Sequence, residues 1–230
     1  MNGGHTVWIC SANKPIHITA ESQGIYWKYE SGIRELESKI GSLIGVDGPL
    51  YAVRRDCYAP LEPNMISDLL TPLLVLKKGK RVVWEPDAVV REDPTQKAGQ
   101  EFNTRRRITL RGLTGLAAHS RLLNPLKHPM LAFQIIFHKI LRWFVGPIAV
   151  FNILSCLVLA GHWLLFKAIF ILYLLFFLSA GLGWYSERNG IKSRLLAVPY
   201  YFSLVNLAAT MGIFDFLRKK QAVSWKPVRN

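Results

Sequence analysis

Apolar positions are spaced in two different ways along this 230-residue chain. Up to about residue 120 they alternate with charges; past residue 142 they run together. In the first part, Thr6 to Ser11 (TVWICS) predicts a short strand. Tyr26, Tyr29, Ile33, Leu36, Ile40 and Leu43 recur at steps of three and four, which predicts an amphipathic helix from Ile25 to Leu43. Its other face carries Lys28, Glu30, Arg34, Glu35, Glu37 and Lys39, and Gly41 and Gly45 close it. Pro49 to Val53 predicts a strand, Ile66 to Leu76 a helix ending at Gly79, Arg81 to Trp84 another strand, and Glu101 to Leu116 a basic helix. Residues 1–120 thus read as a soluble α/β segment.

The second part holds three charge-free runs: Trp143 to Phe166, Ala168 to Ser186, and Leu195 to Phe214. A membrane-spanning helix needs about 20 mostly apolar residues. The first two runs predict a hairpin turning near Gly161 and His162, with Lys167 snorkelling to an interface. The third carries Pro199 and Asn206, which weaken its claim to span. A chain this short could not cover three such helices with its own residues, so a membrane covers them. Before them, Leu123 to Trp143 is apolar over much of its surface yet carries Lys127, His128, His138, Lys139 and Arg142. This suits a helix lying in the headgroup plane or, alternatively, the basic start of the first span. The organisation expected is a soluble segment 1–120, an interfacial helix 121–142, about three spans over 143–217, and a basic tail 218–230.

Charge changes the picture at this point. Residues 1–101 hold 12 Lys and Arg against 13 Asp and Glu, whereas residues 102–230 hold 17 against 2. Basic charge gathers where the chain is most apolar, which fits an anionic membrane surface and argues against nucleic acid. Topology is left in tension. With the soluble part on the cytoplasmic side, three spans put Arg218, Lys219, Lys220, Lys226 and Arg229 outside, against the positive-inside tendency. Either one segment does not span or the tendency is broken. Cys10, Cys57 and Cys156 have no CxxC spacing and no His pair beside them, so the thiols read as reduced and no zinc site or disulfide is expected.

Few residues offer chemistry. Asp68 opens an apolar helix in MISDLLTPL, where a helix N-terminus favours a carboxylate; it is either a cap or a proton acceptor. Arg105, Arg106 and Arg107 offer cations for a phosphate, but three consecutive arginines on a helix point in different directions, so at most two converge. Gly45, Gly48 and Pro49 flank Asp47 in a turn where small residues let a ligand approach the backbone, or simply make a turn. The chain contains no DxD, GxGxxG, P-loop or HExxH.

Taken in order, these segments resemble the membrane-bound family 2 glycosyltransferases, which include cellulose, chitin, hyaluronan and poly-N-acetylglucosamine synthases. The residues that carry the resemblance are GVDGPLYAVRR (Gly45 to Arg55), ISDLLTPLLVLKKGKRVVWEPDAVVRED (Ile66 to Asp93), EFNTRRRITLRGLTGL (Glu101 to Leu116) and the Trp-x-Pro-x-Arg ending at Trp225 to Arg229. The resemblance implies a fold: the acceptor-side half of a GT-A α/β domain followed by a helical membrane domain. It also implies roles. Asp68 falls on the catalytic base; Arg107, with Arg106, falls near the donor diphosphate; Asp47, Gly48 and Pro49 meet the acceptor sugar. Ser67, Thr104 and Ile108 depart from the family pattern.

What the resemblance implies for function is an inverting glycosyltransferase moving a sugar from a nucleotide sugar to a glycan or lipid acceptor at the plasma or inner membrane, its soluble part cytoplasmic. The divalent metal, Mg or Mn, would belong to an intact enzyme and not to this chain alone, because the DxD-bearing nucleotide-binding half is missing; a separately encoded half is one source for it. The other reading is a non-catalytic membrane protein, a remnant or a partner subunit.

Overall fold

A computed structural model describes residues 6–12, 31–46, 48, 50–90, 98–191 and 193–222. Strand β1 (Thr6–Ala12) pairs in parallel with β2 (Arg81–Val90), the register slipping between Cys10 and Ser11. Between them in sequence come helix α1, described over residues 31–40, and α2 (Ser67–Lys77). Then follow α3 (Ala98–Ala118), a 3-10 turn at Ser120–Leu123, α4 (Pro129–Ile135), a π turn at Ile136–Ile140, α5 (Leu141–Leu159), α6 (Leu164–Arg188) and α7 (Arg194–Leu217).

This corrects the expected GT-A α/β class: the protein is mostly helical. Among the described residues the sheet has two strands and no third. The strand expected at Pro49 to Val53 does not form; Tyr51 makes a lone bridge and residues 52–66 run irregularly. That run is fastened from outside by side chains: Lys78 Nζ donates to the carbonyls of Asp56 (2.9 Å) and Cys57 (3.2 Å). Helices do the burying. Leu69, Leu70 and Leu73 of α2 pack with Leu116 of α3, Ile135 of α4 and Trp143 of α5. A smaller cluster of Leu43, Val46, Cys57, Val75 and Val82 backs β2. With α2 buried between helices and one short parallel pair at its edge, no central sheet organises the described residues. Cys57 and Cys156 are free and buried.

Three helices are long and apolar enough to cross a membrane: the continuous rod Pro129–Leu159, Leu164–Arg188 and Leu195–Leu217. The protein is therefore a membrane protein by the length and composition of these helices. The segment expected to lie separately in the headgroup plane is instead joined to the first of them through the π turn. The rod is about 46 Å long at 1.5 Å per residue, more than the bilayer core needs. Its N-terminal turns therefore extend beyond the hydrocarbon and carry the polar residues His138, Lys139 and Arg142. Helices α5 and α6 form an antiparallel hairpin; the Tyr173 hydroxyl donates to Asn152 Oδ1 at 3.0 Å. Exposed Phe151, Val158, Leu172 and Leu178 mark the lipid-facing sides of α5 and α6.

Candidate functional site

The site is built on a proline. Pro72 lies inside α2 and has no N–H, so the carbonyl of Asp68, four residues back, has no partner within its helix. It accepts instead from the N–H of Val46 at 2.8 Å. That bond draws residues 44–48 alongside the start of α2. A Cβ on Gly48 would stand 3.7 Å from the Asp68 carboxylate, and one on Gly45 only 3.3 Å from Lys139 Nζ. Longer side chains at either place would crowd the carboxylate or its lysine neighbour. Gly48 thus meets Asp68, while Asp47 and Pro49 lie outside the described residues.

Asp68 sits in the first turn of α2 behind Ile66, an N-cap that makes no side-chain cap hydrogen bond. The N–H groups of Asp68 itself and of Leu69 act on its carboxylate, as those at a helix N-terminus do. Oδ1 is buried and has no hydrogen-bond partner. The residue lines a cavity of about 100 Å³ together with Arg105, Lys139, Arg142, Trp143 and Asn206. Burial pushes the Asp68 carboxyl above its ordinary value, while Lys139, the N–H groups of Asp68 and Leu69, and Arg111 pull the other way and lose. The result is a carboxylate with raised proton affinity in a cleft between α2, α3 and the apolar helices α5 and α7.

The arginine run fans out as helical geometry requires. Arg105 donates to Glu101 Oε1 at 2.8 Å and to the Tyr201 hydroxyl at 3.2 Å, and Tyr201 in turn donates to Glu101 at 2.7 Å. Arg106 grips Asp215 with two bonds, of 2.5 and 2.9 Å, and Lys220 adds a third contact to Asp215 at 3.0 Å. Arg107 does not line the Asp68 cavity but is within its electrostatic reach: burial and Arg111 lower its affinity for its proton, and Asp68 raises it. Arg106 and Arg107 therefore do not converge; one is held by a carboxylate of α7 and the other lies within electrostatic reach of Asp68.

Several participants were not singled out from the sequence. Arg111 donates to the carbonyls of Pro63 (3.0 Å) and Met65, holding the residues that lead into α2 and so aiming Asp68. Lys139 and Arg142, one turn apart, were assigned to headgroups, and their spacing was the available signal that both face one way. Asn206 of α7 was noted only as a polar interruption of an apolar run.

Chemically the cleft can take a proton from a hydroxyl and surround a developing anion with cations. Among the described residues no group of three His, Cys, Asp or Glu comes together, and Asp68 is the only carboxylate lining the cavity. No protein-family model matches the chain, and no curated protein matches it.

Proposed function

We propose that the Asp68 cleft is the acceptor end of a glycosyl-transfer site at the membrane surface. The observation that carries the reading is Asp68, its buried Oδ1 without a hydrogen-bond partner, lining a cavity with Arg105, Lys139 and Arg142. In this reading Asp68 removes the proton of an acceptor hydroxyl. The freed oxygen attacks the anomeric carbon of an activated sugar, and the nucleoside diphosphate departs with the bonding electrons, inverting the centre. Arg107 faces the leaving diphosphate. Gly48 leaves room for the acceptor beside Asp68. A nucleotide-sugar donor places the soluble part on the cytoplasmic side of a plasma or inner membrane. The ordered segments that resemble family 2 glycosyltransferases support the same reading.

The test is transfer of radiolabel from nucleotide sugars to membrane-extractable or polymeric product, in membranes carrying the protein in its native setting. Asp68→Asn should abolish incorporation while membrane insertion persists; undiminished incorporation overturns the reading. A second reading, a non-catalytic membrane subunit, is favoured by one specific observation: Arg105 and Arg106, two of the cations available to a diphosphate, are already tied to Glu101, Tyr201 and Asp215. Nucleotide-sugar binding without any transfer under any acceptor would favour it.

A further inference from the structure

Helix α7 is apolar enough to span, yet its contacts describe a different position. Gly146, in the first turns of α5, is backed by the Asn206 carbonyl, which a Cβ there would meet at 2.9 Å. Gly183, near the end of α6, is backed by the Leu196 carbonyl and by Tyr200. The start of α5 and the end of α6 are the same end of the hairpin. A stretch of α7 about 20 Å long thus crosses the outer half of the hairpin, Phe202 reaching Phe176 midway along α6, and these contacts stop short of the turn at 160–163.

The rest of α7 continues away from the hairpin, onto α3. A Cβ on Gly212 would lie 2.6 Å from the Arg106 carbonyl, and Asp215 pairs with the Arg106 guanidinium. Tyr201, four turns earlier on α7, meets Arg105. The middle of α7, at Tyr201, and its C-terminal end, at Asp215, are thus fastened to neighbouring residues of α3. Helix α3 is itself fastened to the soluble part: its Arg111 binds the carbonyls of Pro63 and Met65, and Leu70 packs against Gly115. Setting α7 upright in the bilayer would carry Glu101, Arg105, Arg106 and the Asp68 cleft into hydrocarbon. Each charged side chain there is costly, by about 3 kcal/mol or more.

Burial agrees. In α7 28% of the apolar window is buried inside the protein, against 11% and 6% for the other two candidates. Small Ala208 and Gly212 face the protein, while Leu207, Met211 and Phe214 stay exposed on another side at steps of four and three. This is the arrangement of a helix with protein on one face and lipid on the other. Charge agrees as well. Arg142, Glu187, Arg188 and Arg218 belong to the end that α7 caps; the far turn and the residues just after it hold only His162 and Lys167.

We infer that α7 lies along the membrane surface on the side of the Asp68 cleft, its exposed apolar face seated in the lipid leaflet. The described chain then crosses the bilayer twice, through α5 and α6. Lys219 and Lys220 stay on the cleft side, where an anionic headgroup layer matches them. The conflict with the positive-inside tendency disappears. The inference is independent of whether sugar transfer occurs at Asp68.

The experiment is labelling by a membrane-impermeant maleimide in sealed vesicles of known orientation, using the full chain with Cys10→Ser and the buried Cys57 and Cys156 retained as measured background. Glu62→Cys reports the soluble part, Gly161→Cys the hairpin turn (where a Cβ meets nothing within 4 Å), and Gln221→Cys the end of α7. The result expected is that positions 62 and 221 label from one side and position 161 only from the other, with all three labelling equally after detergent. Position 221 labelling with position 161, or from neither side, overturns the inference.

Discussion

Two aspartates near the seam between soluble and membrane helices are treated in opposite ways. Asp215 is paired on both oxygens: two bonds from Arg106 and one contact from Lys220, on a carboxylate that is almost fully buried. Asp68 has cations in its surroundings, yet its buried Oδ1 has no bond. A paired buried charge fastens two helices, here α3 to α7. An unpaired one lowers stability, and its persistence points to use. The contrast separates the part of the molecule that holds it together from the part available for chemistry, although both are built from the same residue type and adjoin the same helix.

The sharpest way to break that contrast is by activity. If Asp68 is a general base, Asp68→Asn should lower the initial rate of sugar transfer by about 10²- to 10⁴-fold. Asp215→Asn should act only as far as it loosens the fold, so equal losses of rate per folded molecule would erase the distinction. Stability gives the next largest effect, in reverse order. Asp215→Asn removes one side of a charge-assisted pair and should cost about 2 kcal/mol, read as a lowered melting point in detergent. The double change Arg106→Met with Asp215→Leu should recover most of that loss, because neither charge is then stranded.

The pH dependence sharpens the comparison further. The folded-state affinity of Asp68 for its proton is raised, so the native chain holds this proton more tightly than the unfolded chain does. Stability from this group is therefore present below the ordinary carboxylate value of 3.8 and falls as pH rises from there through the folded value. Asp68→Asn should lack that decline, and at neutral pH it should melt no lower than the parent. A clear drop in its melting point would show that Asp68 is a structural pair after all. The smallest effect is expected at the exposed Lys39–Glu35 pair, 2.6 Å apart on α1: Lys39→Ala should change stability by no more than about 0.5 kcal/mol.

What was legible in the sequence was local. The helix from Ile66, the basic helix after Glu101 and the long apolar helices follow from spacing and run length, and the structure places them within a few residues of those expectations. Asp68 stood out because it opens an apolar helix. The reason for its position was four residues on, in Pro72, but only the fold shows that Val46 takes the carbonyl that the proline leaves open. The expected α/β class failed because it rested on short alternating runs such as Pro49 to Val53, whose outcome depends on a sheet edge being offered to them. Here helices take the core instead. The Arg106–Asp215 pair was beyond reach: its partners are 109 residues apart, and nothing local ties a basic helix to one carboxylate at the end of an apolar one. The third apolar run shows a limit of composition, because hydropathy records that a helix meets lipid and not whether it crosses.

The measurement that bears most directly on the account is the ionisation of Asp68 itself. Infrared difference spectra across a pH titration, with the Asp68→Asn protein subtracted to assign the band, report the protonated carboxyl of this one residue. The account predicts that the band persists above the ordinary carboxylate value of 3.8, because burial outweighs the pull of Lys139 and Arg111. A band that disappears at or below that value would mean that Asp68 is as well paired as Asp215, and the distinction between fastening and chemistry would fall.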